Sequence, residues 1–166
     1  MALKKIVSGG QTGVDRGALD AALDAGFPCG GWAPEGRIAE DGPIDARYPL
    51  TELPGAGYEK RTRKNVLDSD GTVILYLKEL EGGSRQTRDD CVAYCKPHEL
   101  VDASRTAPAE AARKLATFVE RRRIGVLNVA GPRASKWRGA RDHAFQTVTQ
   151  LLHELGLAKA NRVPDQ

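Results

Sequence analysis

Three times in this chain a short apolar run stops at a glycine-centred loop and gives way to a segment of helical period. The first is Ile6-Val7-Ser8-Gly9-Gly10-Gln11-Thr12-Gly13-Val14-Asp15. The second is Val73-Ile74-Leu75-Tyr76-Leu77 followed by Gly82-Gly83-Ser84-Arg85-Gln86-Thr87. The third runs from Ile124 through Asn128-Val129-Ala130-Gly131-Pro132-Arg133-Ala134-Ser135-Lys136. A strand that ends in glycines and opens into a helix leaves unpaired backbone N–H groups and the positive helix end at one spot, where phosphates and other oxyanions bind. Three such junctions in 166 residues point to a pocket that recognises anions.

Between these junctions, apolar runs of strand length alternate with segments of period 3.6, the pattern of a parallel sheet covered on both faces. The strand candidates are Lys5–Ser8, Cys29–Ala33, Thr72–Leu77, Leu100–Asp102 and Gly125–Ala130. Helices are expected over Asp15–Ala25, Tyr58–Asp68, Ser84–Cys95, Pro108–Arg122 and Lys136–Leu155. In the last, Ala140, Ala144, Val148, Leu151, Leu152 and Leu155 recur at three- and four-residue intervals. The expected fold class is α/β, a Rossmann-like three-layer sandwich with a mostly parallel sheet of about five strands and helices on both faces. Residues 1–156 form one ligand-binding domain in this reading, with 157–166 as a C-terminal tail.

One stretch breaks the rhythm. Pro34–Gly57 holds four prolines, four glycines and little apolar periodicity. A loop of that length is uncommon in a compact domain, and two readings stand: an excursion covering a sheet edge, or a wall over the pocket at the strand ends, where open α/β sheets bind ligands.

Composition removes several classes. A net charge of +3 and a pI near 8.8 are too mild for a protein that coats nucleic acid through its overall field. With nine aromatic residues and no known DNA- or RNA-binding motif, nucleic acid is an improbable partner. No apolar run approaches a membrane span, and Met1-Ala2-Leu3-Lys4-Lys5 leads directly into a strand, so the expected location is the cytoplasm, without membrane attachment. Cys29, Cys91 and Cys95 make an odd set that fits a reducing compartment. Cys91 and Cys95 are expected to pack in the core. Two helical thiols without nearby histidines leave a metal site incomplete, and no protein-ligated metal is expected.

The motifs Ser8-Gly9-Gly10-Gln11-Thr12-Gly13-Val14-Asp15-Arg16-Gly17, Gly31-Trp32-Ala33-Pro34-Glu35-Gly36-Arg37, Glu40-Asp41-Gly42, Tyr48-Pro49-Leu50-Thr51-Glu52, Arg61-Thr62-Arg63-Lys64-Asn65-Val66, Gly82-Gly83-Ser84-Arg85-Gln86-Thr87 and Asn128 to Lys136 occur in order. Together, from about residue 5 to residue 152, the chain resembles the molybdenum carrier family. That family is a circularly permuted branch of the Rossmann-like nucleotide-binding superfamily, which also includes the lysine-decarboxylase-like phosphoribohydrolases. The resemblance implies a Rossmann-like sheet, a homo-oligomer and, for some members, binding of the molybdenum cofactor, with transfer to molybdoenzymes as the corresponding partner relation.

The residues fit an anionic small-molecule ligand. Gly9, Gly10, Gln11, Thr12 and Gly13 offer backbone donors and the Thr12 hydroxyl to one anion. Gly82, Gly83, Ser84, Arg85, Gln86 and Thr87 do so at a second helix start, where Arg85 adds planar paired donors. Gly131, Arg133, Ser135 and Lys136 form a third group. Asp15 is the catalytic candidate if the protein is an enzyme, and Asp89 and Asp90 are the other acids worth testing. Arg61, Arg63 and Lys64 read as a solvated basic face unless their helix leads back to the pocket mouth. Three functions use the same pocket: carriage or storage of the molybdenum cofactor, hydrolysis of a nucleoside monophosphate at its N-glycosidic bond, and sensing of a nucleotide without turnover. Glycosidic cleavage wants a carboxylate beside a clamped phosphate. The Pro-Gly-Gly-x-Gly-Thr pattern of the phosphoribohydrolases, followed by glutamate, differs here, with the Gly-Thr pair reversed and aspartate at residue 15.

Overall fold

The first glycine junction folds as its pattern predicts: strand β1 (Lys5–Val7) runs into helix α1 (Val14–Asp24) through a loop whose last residue, Gly13, has φ +83°. The computed structural model describes residues 2–158. Along the chain follow β2 (Cys29–Gly30), β3 (Trp32–Ala33), β4 (Ile38–Ala39), β5 (Gly42–Pro43), β6 (Thr51–Glu52) and α2 (Tyr58–Leu67). The second half holds β7 (Gly71–Tyr76), α3 (Gly82–Ala93), β8 (His98–Asp102), α4 (Pro108–Arg122), β9 (Val126–Ala130) and α5 (Ala140–Glu154).

The main sheet has five strands in the order β2-β1-β9-β7-β8, and every neighbouring pair is parallel. The chain steps outward from β1 to β2 in one direction and from β7 to β8 in the other. With right-handed crossovers these opposite steps put α1 and α3 on opposite faces. The larger core lies under α1, α4 and α5, where Val14, Ala18, Leu115, Val148 and Leu151 pack on Val73, Leu75, Leu127 and Val129. Helix α2 packs beside α3 on the other face. At the α1–α5 crossing, a Cβ on Gly17 would strike the Arg141 carbonyl oxygen and come within 2.8 Å of the Ala144 Cβ. Only glycine allows this approach.

Three sequence expectations change in detail. The run Cys29–Ala33 splits at Gly31, whose φ of +128° turns the chain out of the main sheet, so that Trp32 and Ala33 pair with Thr51 and Glu52 instead. The last helix starts at Ala140 rather than Lys136, because residues 134–136 form turns. Helix α3 begins at Gly82 and ends at Ala93, so Cys91 is buried, as expected, but Cys95 lies beyond the helix with φ +53° and is exposed. The Pro34–Gly57 segment folds into the antiparallel β4–β5 hairpin and the β6 strand, and its residues Ala39, Ile44 and Tyr48 cluster with Leu19 and Ala33 in a small second core. Of the expected tail, 159–166 lie outside the described residues.

Candidate functional site

Strands β1, β9 and β7 are adjacent and parallel, so the loops after them, 8–13, 131–139 and 77–81, emerge at one edge of the sheet. A cavity of about 690 Å³ opens there. Gly9 and Gln11 line it from the first loop, Gly131, Arg133 and Lys136 from the third, and Gly82, Gly83, Ser84, Gln86 and Thr87 from the start of α3. Asp15 also reaches it from α1. Gly10, Thr12, Gly13, Arg85 and Ser135 are not on its wall. Gly10 packs against Ile44 and Leu50, while Gly13 sits against the Pro132 carbonyl and the Ala134 N–H. The Thr12 hydroxyl accepts the Ala134 N–H at 3.1 Å. Asp89 and Asp90 face elsewhere: exposed Asp89 pairs with Arg88 and buried Asp90 with Arg63.

Helix α3 brings its N-terminal end to the cavity. Its N-cap, Glu81, makes no side-chain cap, and among the described residues no protein acceptor takes the N–H groups of Gly82 and Gly83. The Thr87 hydroxyl donates back to the Gly83 carbonyl at 2.8 Å, and the Ser84 N–H donates to the Glu81 carbonyl at 3.1 Å, leaving the Gly82 and Gly83 N–H groups and the helix dipole as the donors on that wall.

Of the basic set Arg61, Arg63 and Lys64, expected on a solvated face unless their helix leads back to the pocket mouth, Arg61 does reach the cavity. Arg61, on α2, is only 6% exposed. Its guanidinium lies directly over Gly9, where any Cβ would collide with Nη1. Nη1 stands 3.5 Å from Asp15 Oδ2, and Asp15 also accepts the Gln11 N–H at 3.2 Å. Among the described residues, the buried Arg61 Nε has no partner. Burial pushes the Asp15 carboxyl up from its ordinary range, and the nearby Arg61 charge only partly offsets this. The same burial pulls the Arg61 guanidinium down, against the attraction of Asp15. An orphaned donor of this kind is costly unless something else fills the space.

Other residues on the wall had no sequence signal as site residues: Tyr58, Thr62 and Asn65 on α2, Asn128 on β9, and Trp137 after the third loop. Asn65 receives the Trp32 N–H at 2.8 Å and donates to the Trp32 carbonyl at 3.1 Å, tying α2 to β3. Asn128 donates to the Thr72 hydroxyl at 3.2 Å in the buried sheet. The rim is mixed in charge, with Arg133 and Lys136 beside the third loop and exposed Glu59, Glu79 and Glu81 near α2 and α3. Tyr58 and Trp137 add aromatic surface. Among the described residues, no three His, Cys, Asp or Glu side chains are grouped to hold a metal ion, and no helix is long and apolar enough to cross a membrane.

A parallel sheet with helices on both faces and a ligand-sized cavity at the carboxyl edge of its central strands defines a Rossmann-like α/β protein. The chain belongs to the circularly permutated YpsA SLOG family, whose model matches residues 6–152. It is similar to the crystal structure of a "putative molybdenum carrier protein" from Syntrophus aciditrophicus SB, at 44% sequence identity and a TM-score of 0.88 over 91% of this chain and 96% of that one. No curated protein matches.

Proposed function

We propose that this protein carries or stores the molybdenum cofactor, gripping its phosphate in the cavity at the carboxyl edge of the sheet. The observation that carries this reading is the pairing, in one cavity, of an unpartnered buried Arg61 Nε with the uncapped N-terminus of α3. A phosphate between them would receive charge-assisted hydrogen bonds from the guanidinium and backbone donors from Gly82 and Gly83. Tyr58 and Trp137 offer flat surface to a heterocycle, and the cofactor's own dithiolene supplies the sulfur ligands of its metal, so the protein need not provide a metal site. The name of the similar Syntrophus protein supports the same ligand class. In this reading the protein works in the cytoplasm as a homo-oligomer and hands its cargo to molybdoenzymes.

The test is retention. Intact molybdenum cofactor is mixed with the purified protein, free ligand is removed by gel filtration, and molybdenum and oxidised pterin are quantified per chain. Near-equal retention of both, lost in Arg61→Met, supports the carrier. Retention of neither overturns it.

Asp15 favours a second reading. A buried carboxyl on the cavity wall, with its proton affinity raised and a guanidinium beside it, is placed for acid–base work on a bound nucleotide. Water would then replace the base at C1′ of a nucleoside monophosphate, releasing free base and ribose 5-phosphate. Release of ribose 5-phosphate by the wild type and its loss in Asp15→Asn would support hydrolysis; unchanged release in that variant removes Asp15 from it.

A further inference from the structure

Glu40 stands at the tip of the β4–β5 hairpin, yet its carboxylate is held by the glycine-loop edge. Oε1 accepts the Thr12 hydroxyl and the Ser135 N–H, the latter at 3.1 Å, and Oε2 accepts the Ser135 hydroxyl at 2.6 Å. Arg133 Nε lies 3.6 Å from Oε2. The Glu40 N–H donates to Gln11 Oε1 at 2.9 Å, and that same oxygen accepts the Thr12 N–H at 3.0 Å. Gln11 and Arg133 also line the cavity, so this carboxylate position adjoins it and shares its wall. These donors hold the Glu40 carboxyl below its ordinary range. Next in the chain, Asp41 pairs with Arg16 through both guanidinium nitrogens, which fastens the tip a second time.

Two hydroxyls, a backbone N–H and a guanidinium around a pair of oxygens form a receptor for any small oxyanion, and nothing in that set is particular to a carboxylate on a hairpin. Thr12, Arg133 and Ser135, expected from sequence to hold ligand anions, surround the Glu40 carboxylate in the folded chain, and Arg133 lines the cavity as well. We infer that Thr12, Ser135 and Arg133 form a second oxyanion subsite beside the cavity, kept filled by Glu40 until an acidic group of the ligand, phosphate or its equivalent, displaces it and loosens the hairpin tip, which the Asp41–Arg16 pair still holds. The inference deepens the proposed function by giving the ligand class two anionic ends, and it rests on that reading only for the occupant of the first.

The test uses inorganic phosphate as probe. It is titrated by calorimetry into the wild type, Glu40→Ala and the double variant Glu40→Ala/Ser135→Ala. In parallel, trypsin cleavage after Arg37 is followed in the wild type with and without phosphate. Arg37 is a reporter of the hairpin because its guanidinium is pinned to the carbonyls of Leu50, Asp45 and Tyr48 at 3.0, 2.8 and 3.1 Å. The expected result is a phosphate-binding event that occurs at lower phosphate concentration in Glu40→Ala than in the wild type, where phosphate must displace Glu40, and that is lost in the double variant, with faster cleavage of the wild type once phosphate fills this site. Equal phosphate uptake in wild type and Glu40→Ala, with cleavage unaffected by phosphate, overturns the inference and leaves Glu40 as a structural clasp. The two readings separate cleanly. One phosphate of equal affinity in both proteins sustains the cavity reading alone, one that binds Glu40→Ala more tightly than the wild type sustains the subsite alone, and none in either overturns both.

Discussion

Arg61 Nη1 stands 3.5 Å from Asp15 Oδ2, with the two side chains 7% and 10% exposed. A buried pair of this kind is easy to break and hard to improve, because removing one member strands the other without water or a counter-charge. Replacing Arg61 by Met should therefore lower stability by about 3–5 kcal/mol, read from urea unfolding. The double variant Asp15→Asn/Arg61→Met should recover most of that loss. A double variant no more stable than Arg61→Met would show that the pair is not what holds the site.

Two carboxylates should give stability profiles of opposite slope. The folded-state value of Asp15 is raised above 3.8, so its contribution is fully present below that pH and is lost as pH rises through the folded value. Wild type should thus lose ground against Asp15→Asn as pH climbs from 3.8. Glu40 is shifted the other way, below 4.5, so its contribution is present above that pH and is lost as pH falls through the lowered value. Wild type should lose its advantage over Glu40→Gln on acidification. Urea unfolding of the three proteins from neutral pH down past the lowered Glu40 value checks both signs.

Gly9 and Gly83 border the same cavity, but a methyl group meets very different surroundings at each. At Gly9 it would strike the Arg61 guanidinium, whereas at Gly83 nothing lies within 4 Å and φ is not positive. Gly9→Ala should displace Arg61 and abolish retention of the cofactor. Gly83→Ala should fold normally, gain up to about 1 kcal/mol from helix propensity, and weaken phosphate binding by crowding the α3 terminus. Thermal melts and phosphate titration distinguish the two.

Gly17→Val should cost about 1–3 kcal/mol as an overpacked contact between α1 and α5, measured by the urea midpoint. An unchanged midpoint would mean that the two helices can separate at little cost.

The order of strands and helices is written locally, in apolar period and glycine punctuation, and so β1, β7, β9 and all five helices are legible in the sequence. Gly31 is legible as a glycine, but its φ of +128°, which diverts Trp32 and Ala33 to a second sheet, depends on the Thr51–Glu52 strand arriving beside them. Arg61 is the harder case. Its neighbours Arg63 and Lys64 are partly exposed and give the segment the look of a solvated face, while Arg61 alone turns inward, onto a glycine more than fifty positions earlier. That contact is created by the sheet order, which brings α2 over the β1 loop, and no periodicity within α2 encodes it. Gly82 and Gly83 carry the opposite lesson. Read as the loop before α3, they form its first turn and line the cavity without a side-chain cap.

The Gly17 crossing makes one half of the binding cleft stiff. It locks the helices that follow the first and third glycine loops together along their backbones. Those loops then behave as a single fixed jaw. The opposing jaw, α2 with the start of α3, meets the first through the Arg61–Asp15 pair over Gly9, while the Asn65–Trp32 tie fastens it to β3. A bulky ligand in the proposed site would then be accommodated by the second jaw, with the first as the fixed wall.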